Sequence, residues 1–350
     1  MRMMLTMLIP FCILMYFYVI WRFFVIFENN SKLIPLIIAI IITAFVLINF
    51  MYRWNNKILD ILWTASSRIF VLWFLLLIIL AIIHAITYFR RPINPRIVIW
   101  IIAIILLTGC YFSLHTKFTN LNIQSEKIQK NTKILLISDI HVENITQDFH
   151  INKIIKAIKS EKPDFVIIAW DLMNKPNITY VDYFSAFKSV KDTPIFAVMW
   201  NHDVMLNTQI IKKIPEVSNI KFLNNESIEI DWIQLIWLID KSLRWNNSLK
   251  DIMNYIKTKN DADFSILITH QPIKLEKLVD YPIDLEVAWH THRGQFYWIM
   301  ELSRLANDYL YGEYKLWDKT AFITQWIWTR GLPFRLWTQS EMVIINLTKK

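Results

Sequence analysis

The sequence has little glycine and little cysteine, and it is unusually rich in tryptophan. It contains 4 Gly, 2 Cys and 16 Trp in 350 residues, whereas ordinary usage of roughly 7% would give about 25 glycines. The Gly and Trp counts together, 20, come close to a normal glycine content. Both cysteines, Cys12 and Cys110, lie inside apolar runs, which excludes a disulfide framework and a thiolate metal site.

Acidic residues are scarce in the first third of the chain. Residues 1–116 hold nine Lys/Arg and two Asp/Glu, whereas residues 117–350 hold 29 and 27. The net charge of +9 is therefore mostly a membrane-topology signal and gives no nucleic-acid footprint. With 55% hydrophobic residues and a mean hydropathy of +0.32, the chain is too apolar for an ordinary soluble protein of this size.

Four long apolar runs occupy this first part, at residues 3–27, 33–52, 69–89 and 97–115. Each approaches the roughly 20 residues that cross a bilayer as a helix, so the sequence predicts a four-helix transmembrane anchor over residues 1–116. With the N-terminus inside, eight loop Lys/Arg against four favour a cytoplasmic C-terminal domain at the cell membrane. The runs contain no acidic residue that would mark an ion pathway, which argues against a transporter.

The remainder of the chain has the pattern of an α/β domain. Residues 117–132 are polar and predict a linker. From residue 133 onward, short apolar runs alternate with helical patterns, which is typical of βαβ units and parallel strands. The predicted strands lie at 133–137, 165–169, 195–199, 264–268, 285–288 and 342–347, the antiparallel portion at 228–239, and the helices at 147–160, 180–191 and 248–258.

Metal-ligating residues directly follow five of these apolar runs. Carboxylate, amide and imidazole groups at successive strand ends are the donors that a cluster of divalent metal ions requires. Each motif alone is weak, but five in this order favour one metal site over coincidence. The residues, in order along the chain, are Asp139 and His141, then Asp171, then Asn201, His202 and Asp203, then His270, and finally His290 and His292.

At these residues the chain resembles the calcineurin-like metallophosphoesterases, whose motifs run D-x-H, G-D, G-N-H-D, H and G-H-x-H. The resemblance implies two mixed β-sheets packed as a sandwich flanked by helices, over residues 133–350. It also implies two divalent metal ions (Mn, Fe or Zn), because a shared carboxylate can hold two dications about 3.5–4 Å apart. The implied ligands are Asp139, His141 and His292 for the first metal, Asn201, His270 and His290 for the second, and Asp171 between them.

The same resemblance implies a metal-dependent phosphoric ester hydrolase. A hydroxide bridging the metal ions would attack phosphorus, His202 would protonate the leaving oxygen, and Asp203 would orient His202 or cap the next turn. Arg293 and Arg335 are weaker hypotheses for contacts with the substrate phosphate. Membrane tethering favours a phosphodiester or pyrophosphate in a lipid-linked or envelope precursor. Residues 296–320 would form an apolar cap for an acyl chain or a core helix.

Tryptophan replaces the family's glycine at positions 170, 200 and 289, each directly before a ligand. Glycine serves there because the backbone turns tightly and passes close to metal and phosphate. Residues 325–337 show the same replacement in a stretch that is glycine-rich in the family and ends in P-x-R. We hypothesise that the gene reads UGA as glycine. Aromatic belts of a membrane protein would explain Trp residues of the first 116 positions, but not those beside the motifs.

The alternative function is a degenerate metal-binding membrane scaffold or sensor without turnover. All seven ligand side chains and His202 are present, which favours an enzyme. An indole at 170, 200 or 289 would obstruct the pocket and shift the balance toward the scaffold. His150, on the polar side of the helix at 147–160, is expected to face solvent and to stay outside the site. The sequence does not set the oligomeric state.

Overall fold

The computed structural model describes most of the chain and divides it into two compact units. Unit 1 comprises Met1–Tyr111 with Arg330–Phe334, and unit 2 comprises Phe112–Thr329 with Arg335–Lys350. The described residues are 2–26, 32–51, 69, 72–86, 94–140, 142, 147–169, 173, 178–198, 208–223, 227–237, 264–289, 304–305, 307–325, 327 and 334–350.

Apolar helices form the described part of unit 1, as the apolar runs predict. Asn94 begins the last of them: its side-chain Oδ1 accepts a hydrogen bond from the Arg96 amide at 2.9 Å, and Pro95 follows as the first helical residue. The helices are α1 (Arg2–Ile26), α2 (Leu33–Met51), α3 (Leu72–Ile86) and α4 (Pro95–Leu114), of which α4 ends in unit 2.

Length and composition single out one of these helices as a candidate membrane span. Arg96–Leu114 has a mean hydropathy of 2.5 over its apolar window, of which 22% is buried. The other apolar stretches within the described residues, Pro10–Arg22, Leu33–Val46 and Leu72–Ile86, are shorter. The described helices therefore give one candidate span where the sequence predicts four.

Unit 2 contains two six-stranded mixed sheets, which confirms the expected α/β architecture. The first sheet has the order β1-β12-β2-β3-β4-β5 and the second β10-β11-β9-β8-β7-β6. The strands are β1 (Lys117–Ser125), β2 (Thr132–Ser138), β3 (Phe165–Ala169), β4 (Ile195–Val198), β5 (Ile220–Leu223), β6 (Ser227–Ile230), β7 (Ile233–Trp237), β8 (Phe264–Ile268), β9 (Leu285–Ala288), β10 (Gly312–Leu316), β11 (Lys319–Ile323) and β12 (Glu341–Lys349).

Parallel pairing dominates both sheets. The neighbours from β2 to β5 are parallel, as are β7, β8, β9 and β11, whereas β12 is antiparallel to β2, β6 to β7 and β10 to β11. The flanking helices are α5 (Gln147–Glu161), a 3₁₀ helix (Ile178–Val190), Thr208–Val217 and Leu275–Leu278. The antiparallel portion expected at 228–239 is confirmed by β6 and β7.

Side chains alternate between the two faces of a strand, and in the central strands of the first sheet both faces are buried. In β2, Ile134 and Leu136 join the core between the sheets, whereas Leu135 and Ile137 pack beneath α5 and the 3₁₀ helix. Such double burial produces the continuous apolar runs seen in the sequence. The helices therefore cover the outer face of this sheet.

Two expectations about irregular segments need correction. Residues 117–125, expected to be part of a linker, form β1 and pair with β12 along their whole length. This edge strand exposes alternate residues, so its polar composition conceals its regular structure. Residues 312–320, for which a core helix was one alternative, form β10 and the start of β11 and not a helix. The helix expected near 248–258 lies outside the described residues.

Candidate active site

Five strands that precede the metal-ligating motifs end at one edge of unit 2. Because β2, β3 and β4 are parallel neighbours, their carboxyl ends share an edge, and the same holds for β8 and β9. The segment after β11 joins the two edges: the Thr324 amide donates to the Ala288 carbonyl at 2.9 Å, and the Ile327 amide to the Ser138 carbonyl at 3.3 Å. We call this shared edge the carboxyl edge.

Asp139 begins the turn after β2 and is buried at the carboxyl edge. Its φ of 55° lies in the left-handed region, which a short polar side chain tolerates better than most. The Asp139 amide donates to the carbonyl of Ala169, the last residue of β3, at 3.1 Å. Beyond both strands, Val142 and Met173 form a parallel bridge. The chain beside His141 and the chain beside Asp171 are therefore neighbours.

His270 is buried in the turn after β8. The amide of Thr269 donates to the Val287 carbonyl at 3.0 Å, and the amide of Trp289 donates to the His270 carbonyl at 3.3 Å. These bonds extend the pairing of β8 and β9 beyond the strand ends. They place the imidazole beside Trp289, the residue that directly precedes His290.

Glu286 on β9 is a buried carboxylate that the sequence analysis did not identify. Its Oε1 accepts hydrogen bonds from the Thr269 hydroxyl and from the Ile273 amide, both at 2.7 Å. Burial raises the pKa of Glu286 to about 8, although these two hydrogen bonds oppose the shift. Glu286 thus fixes both ends of the turn that carries His270. An acidic residue inside the apolar stretch 285–288 was the available signal.

A second unidentified carboxylate, Glu341, anchors the segment that joins the two sheet edges. Its Oε2 accepts from the Gln325 amide at 3.1 Å and from the Thr324 hydroxyl at 3.2 Å. Its Oε1 accepts from the Tyr311 hydroxyl at 2.7 Å and from Thr119, and Lys117 Nζ lies 3.3 Å away. The pKa of Lys117 is raised: burial lowers it, but the hydrogen bond to Tyr311 and the charge of Glu341 outweigh that effect.

Three of the sequence-predicted site residues lie in the described ranges: Asp139, His270 and Arg335. Asp139 and His270 lie at the carboxyl edge, and their carboxylate and imidazole groups fit a divalent metal ion. Within the described residues, no group of three His, Cys, Asp or Glu side chains forms a metal cluster. The remaining predicted residues lie outside the described ranges: His141, Asp171, Asn201, His202, Asp203, His290, His292 and Arg293.

Arg335 and His150 are both buried. Arg335 lies between β11 and β12, in a connection that begins and ends at the carboxyl edge. His150, expected to face solvent, packs edge-on against Phe149, with ring centroids 5.5 Å apart. The expectation for His150 was wrong. The lysines of α5 predict a solvent-exposed face at position 150, but this face is buried in the first turn of the helix.

The indole of Trp289 is fully buried in the core between the sheets. It stacks on Trp237 at 6.5 Å between ring centroids and meets the His270 ring edge-on at 5.8 Å. A side chain at position 289 therefore contacts a candidate metal ligand directly.

Several known proteins are similar to this chain. Residues 132–298 match the family model of the calcineurin-like phosphoesterases. An uncharacterized metallophosphoesterase of Helicobacter pylori is 28% identical over 229 residues, which cover 64% of this chain and 62% of that protein. One from Aquifex aeolicus is 24% identical over 265 residues, covering 71% of this chain and 98% of the relative.

A Danio rerio protein, described as a transmembrane protein with metallophosphoesterase domain, is 23% identical over 279 residues. The match covers 74% of this chain and 63% of that protein. This chain thus spans about three-fifths of the length of both the Helicobacter and the Danio relatives, at 62% and 63%. The family typically uses two divalent metal ions. Residues 132–298 of this chain are thus similar to the calcineurin-like phosphoesterases.

Proposed function

We propose that unit 2 hydrolyses a phosphodiester or pyrophosphate in a lipid-linked or envelope precursor. The observation that carries the proposal is the convergence of motif-bearing strand ends at the carboxyl edge. Asp139 and His270 lie there, and the Val142–Met173 bridge joins the chain beside two further ligand candidates. The metal-ligating residues would come from both sheets, which suits a site that holds two metal ions between the two sheet edges.

Each candidate residue has a role in this proposal. Asp171 would be shared between two metal positions, and His202 would protonate the leaving oxygen, with Asp203 orienting its ring. Arg293 and Arg335 would contact phosphate oxygens. Bound divalent ions would supply Lewis acidity and an activated water. Asp139, His141 and His292 would hold one ion, and Asn201, His270 and His290 the other.

We also propose that the helices anchor the chain in the cell membrane, with unit 2 on the cytoplasmic side. Large apolar side chains are exposed along the described helices, including Leu14, Leu33, Trp100 and Leu107, each at least 66% exposed. Apolar surface of this extent is stable in lipid and costly in water. The printed description of the Danio relative as a transmembrane protein is consistent with this placement.

Hydrolysis of an artificial aryl phosphodiester by the full chain with Mn²⁺ tests the proposed activity. We expect Asp171→Ala to abolish turnover, because a shared ligand is lost, and Asp192→Ala to leave it unchanged. Asp192 is an exposed aspartate at the opposite, amino end of β4. Equal rates for Asp171→Ala and the unsubstituted chain would show that the assigned site is wrong. Metal binding without turnover would favour the scaffold.

Backbone geometry supports the hypothesis that tryptophan stands at glycine positions. Trp317 has a φ of 53° and Trp337 a φ of 59°, in the left-handed region that glycine adopts at no steric cost. Trp317 begins the two-residue turn between β10 and β11, where hairpins favour glycine. Peptide mass mapping of the protein from its own source tests the hypothesis. Glycine is expected at 170, 200, 289, 317 and 337, and tryptophan there would refute it.

A further inference from the structure

The exposed large apolar residues of unit 2 are distributed unevenly. Apart from positions 317 and 337, where glycine is expected, the five among its described residues all lie in segments that begin or end at the carboxyl edge. Soluble surfaces normally scatter such residues singly, and a concentration of them marks a contact surface. The five are Leu114, Phe118, Phe149, Ile178 and Leu305, which we call the apolar rim.

Strand register places the beginning of β1 at this same edge. Val343 on β12 is opposite Leu136 on β2, so Glu341 is opposite Ser138, the last residue of β2. Lys117 pairs with Glu341 in the parallel β1–β12 ladder. The chain thus passes from the end of α4 into β1 at the carboxyl edge, two strands from Ser138, with only two residues between the helix and the strand.

Groups of unit 2 bind the last carbonyls of α4. Lys153 Nζ on α5 donates to the Leu114 carbonyl at 2.5 Å and to Thr116 Oγ1 at 2.8 Å. The Ser340 hydroxyl donates to the Ser113 carbonyl at 2.9 Å, and the Gln339 amide group to the His115 carbonyl at 3.1 Å. A cation near a helix C-terminus is favourable. These bonds fix α5, through Lys153, and residues 339–340 beside the helix end.

The apolar rim includes residues on both sides of these bonds. Phe149 lies one helical turn before Lys153, whose ammonium group is 4.5 Å from the Phe149 ring centroid. Leu114 is the residue whose carbonyl accepts from Lys153. Aromatic side chains beside the end of a spanning helix are typical of the membrane–water interface.

We propose that the apolar rim is a membrane-contact surface that holds the carboxyl edge against the headgroup region of a bilayer. The proposal rests on the membrane anchor and the hydrolase activity proposed above, and it deepens them. A site at that edge would take the phosphoester of a lipid within the same membrane. A phosphoester dissolved in water would lack that advantage.

Fluorescence quenching in vesicles tests the surface independently of activity. The full chain, with Cys12→Ala and Cys110→Ala, would carry one bimane-labelled cysteine in phosphatidylcholine–phosphatidylglycerol vesicles that contain brominated lipid. We expect strong quenching for Phe149→Cys and Ile178→Cys, and background quenching for Asp192→Cys at the opposite end. Equal quenching at 149 and 192, or background quenching at both, would overturn the proposal.

A rate comparison then tests the substrate class. The ratio of hydrolysis of a vesicle-embedded phosphodiester lipid to that of its short-chain soluble analogue should fall about tenfold in the double variant Phe149→Ser/Ile178→Ser, because apolar contact area with the bilayer is lost. Asp192→Ser, at an exposed position at the opposite end of unit 2, should leave the ratio unchanged. An unchanged ratio in the double variant contradicts the lipid substrate. If the unsubstituted chain hydrolyses neither substrate, the proposed activity fails, and the quenching result still decides the surface.

Discussion

The two sheets of unit 2 support the carboxyl edge by different means. In the first sheet, β3 and β4 are entirely apolar and buried on both faces, so packing alone determines where their loops begin. In the second sheet, β8 and β9 contain Ser265 and Glu286, which are buried polar residues. Glu286 bonds the turn that holds His270. Apolar strands fix the start of a loop, whereas a buried carboxylate fixes the loop itself.

Loss of packing between the sheets should have the largest effect. Phe165 on β3 is buried in the core between the sheets, beside Phe196 of the same sheet at 6.1 Å between ring centroids, so Phe165→Ala should lower the free energy of unfolding by about 3–5 kcal/mol. Phe118→Ala, at an exposed position, should change it by less than about 1 kcal/mol. Urea unfolding of the full chain in detergent measures both. Similar losses would contradict the role assigned to the packing of β3.

Removal of Glu341 tests the polar anchor of the joining segment. Glu341→Ala leaves the Tyr311 hydroxyl and the Gln325 amide without this acceptor, and Lys117 without its ion-pair partner. It should cost roughly 3 kcal/mol, at the lower end for a buried ion pair because Lys117 is partly exposed. Glu341→Gln keeps an acceptor oxygen and should cost less. The same urea titration measures both variants, and an equal cost would show that hydrogen-bond acceptance at this position is unimportant.

Glu286 gives the second sheet a pH dependence that the apolar strands lack. Burial raises its pKa in the folded protein from 4.5 to about 8, so the folded state holds a proton that the unfolded state releases. Its contribution to stability is therefore fully present below pH 4.5 and is lost as the pH rises through about 8. The loss is roughly 1.4 kcal/mol per pH unit. Glu286→Gln should remove this decline in thermal unfolding between pH 5 and 9. A decline of unchanged slope in the variant would contradict the assignment.

The smallest effect is expected where a polar anchor of the second sheet reaches the surface. Asp284 accepts from the Ser265 amide at 2.8 Å and from Lys127 at 2.6 Å, but the Lys127 side chain is 46% exposed. Asp284→Asn keeps one acceptor and should cost about 1 kcal/mol. Lys127→Met should cost less, since the Ser265 bond remains. A larger loss for Lys127→Met would reverse this order.

The sequence predicted the strands that are buried on both faces, because continuous apolar runs leave few alternatives. It therefore predicted β2, β3, β4, β8 and β9, together with the polar residues that follow them. It missed β1, which exposes alternate residues at a sheet edge and owes its structure to pairing with β12. That pairing joins residues more than two hundred positions apart, and no local pattern reports it.

Part of the candidate site could also be predicted from the sequence, and part could not. Asp139 and His270 were predicted and lie at the carboxyl edge. Glu286 and Glu341 were not, because the role of a buried carboxylate depends on which donors the fold brings to it. Most predicted ligands lie outside the described residues, and their roles stay predictions.

The sequence by itself determined the family motifs, the apolar helices and the order of the buried strands, because each is encoded in local spacing and hydrophobicity. Only the tertiary structure decided that both sheets present their carboxyl ends together, that α4 enters β1 at this edge, and that exposed apolar residues gather there. These features follow from long-range strand pairing and side-chain burial. They form only when the whole of unit 2 is folded.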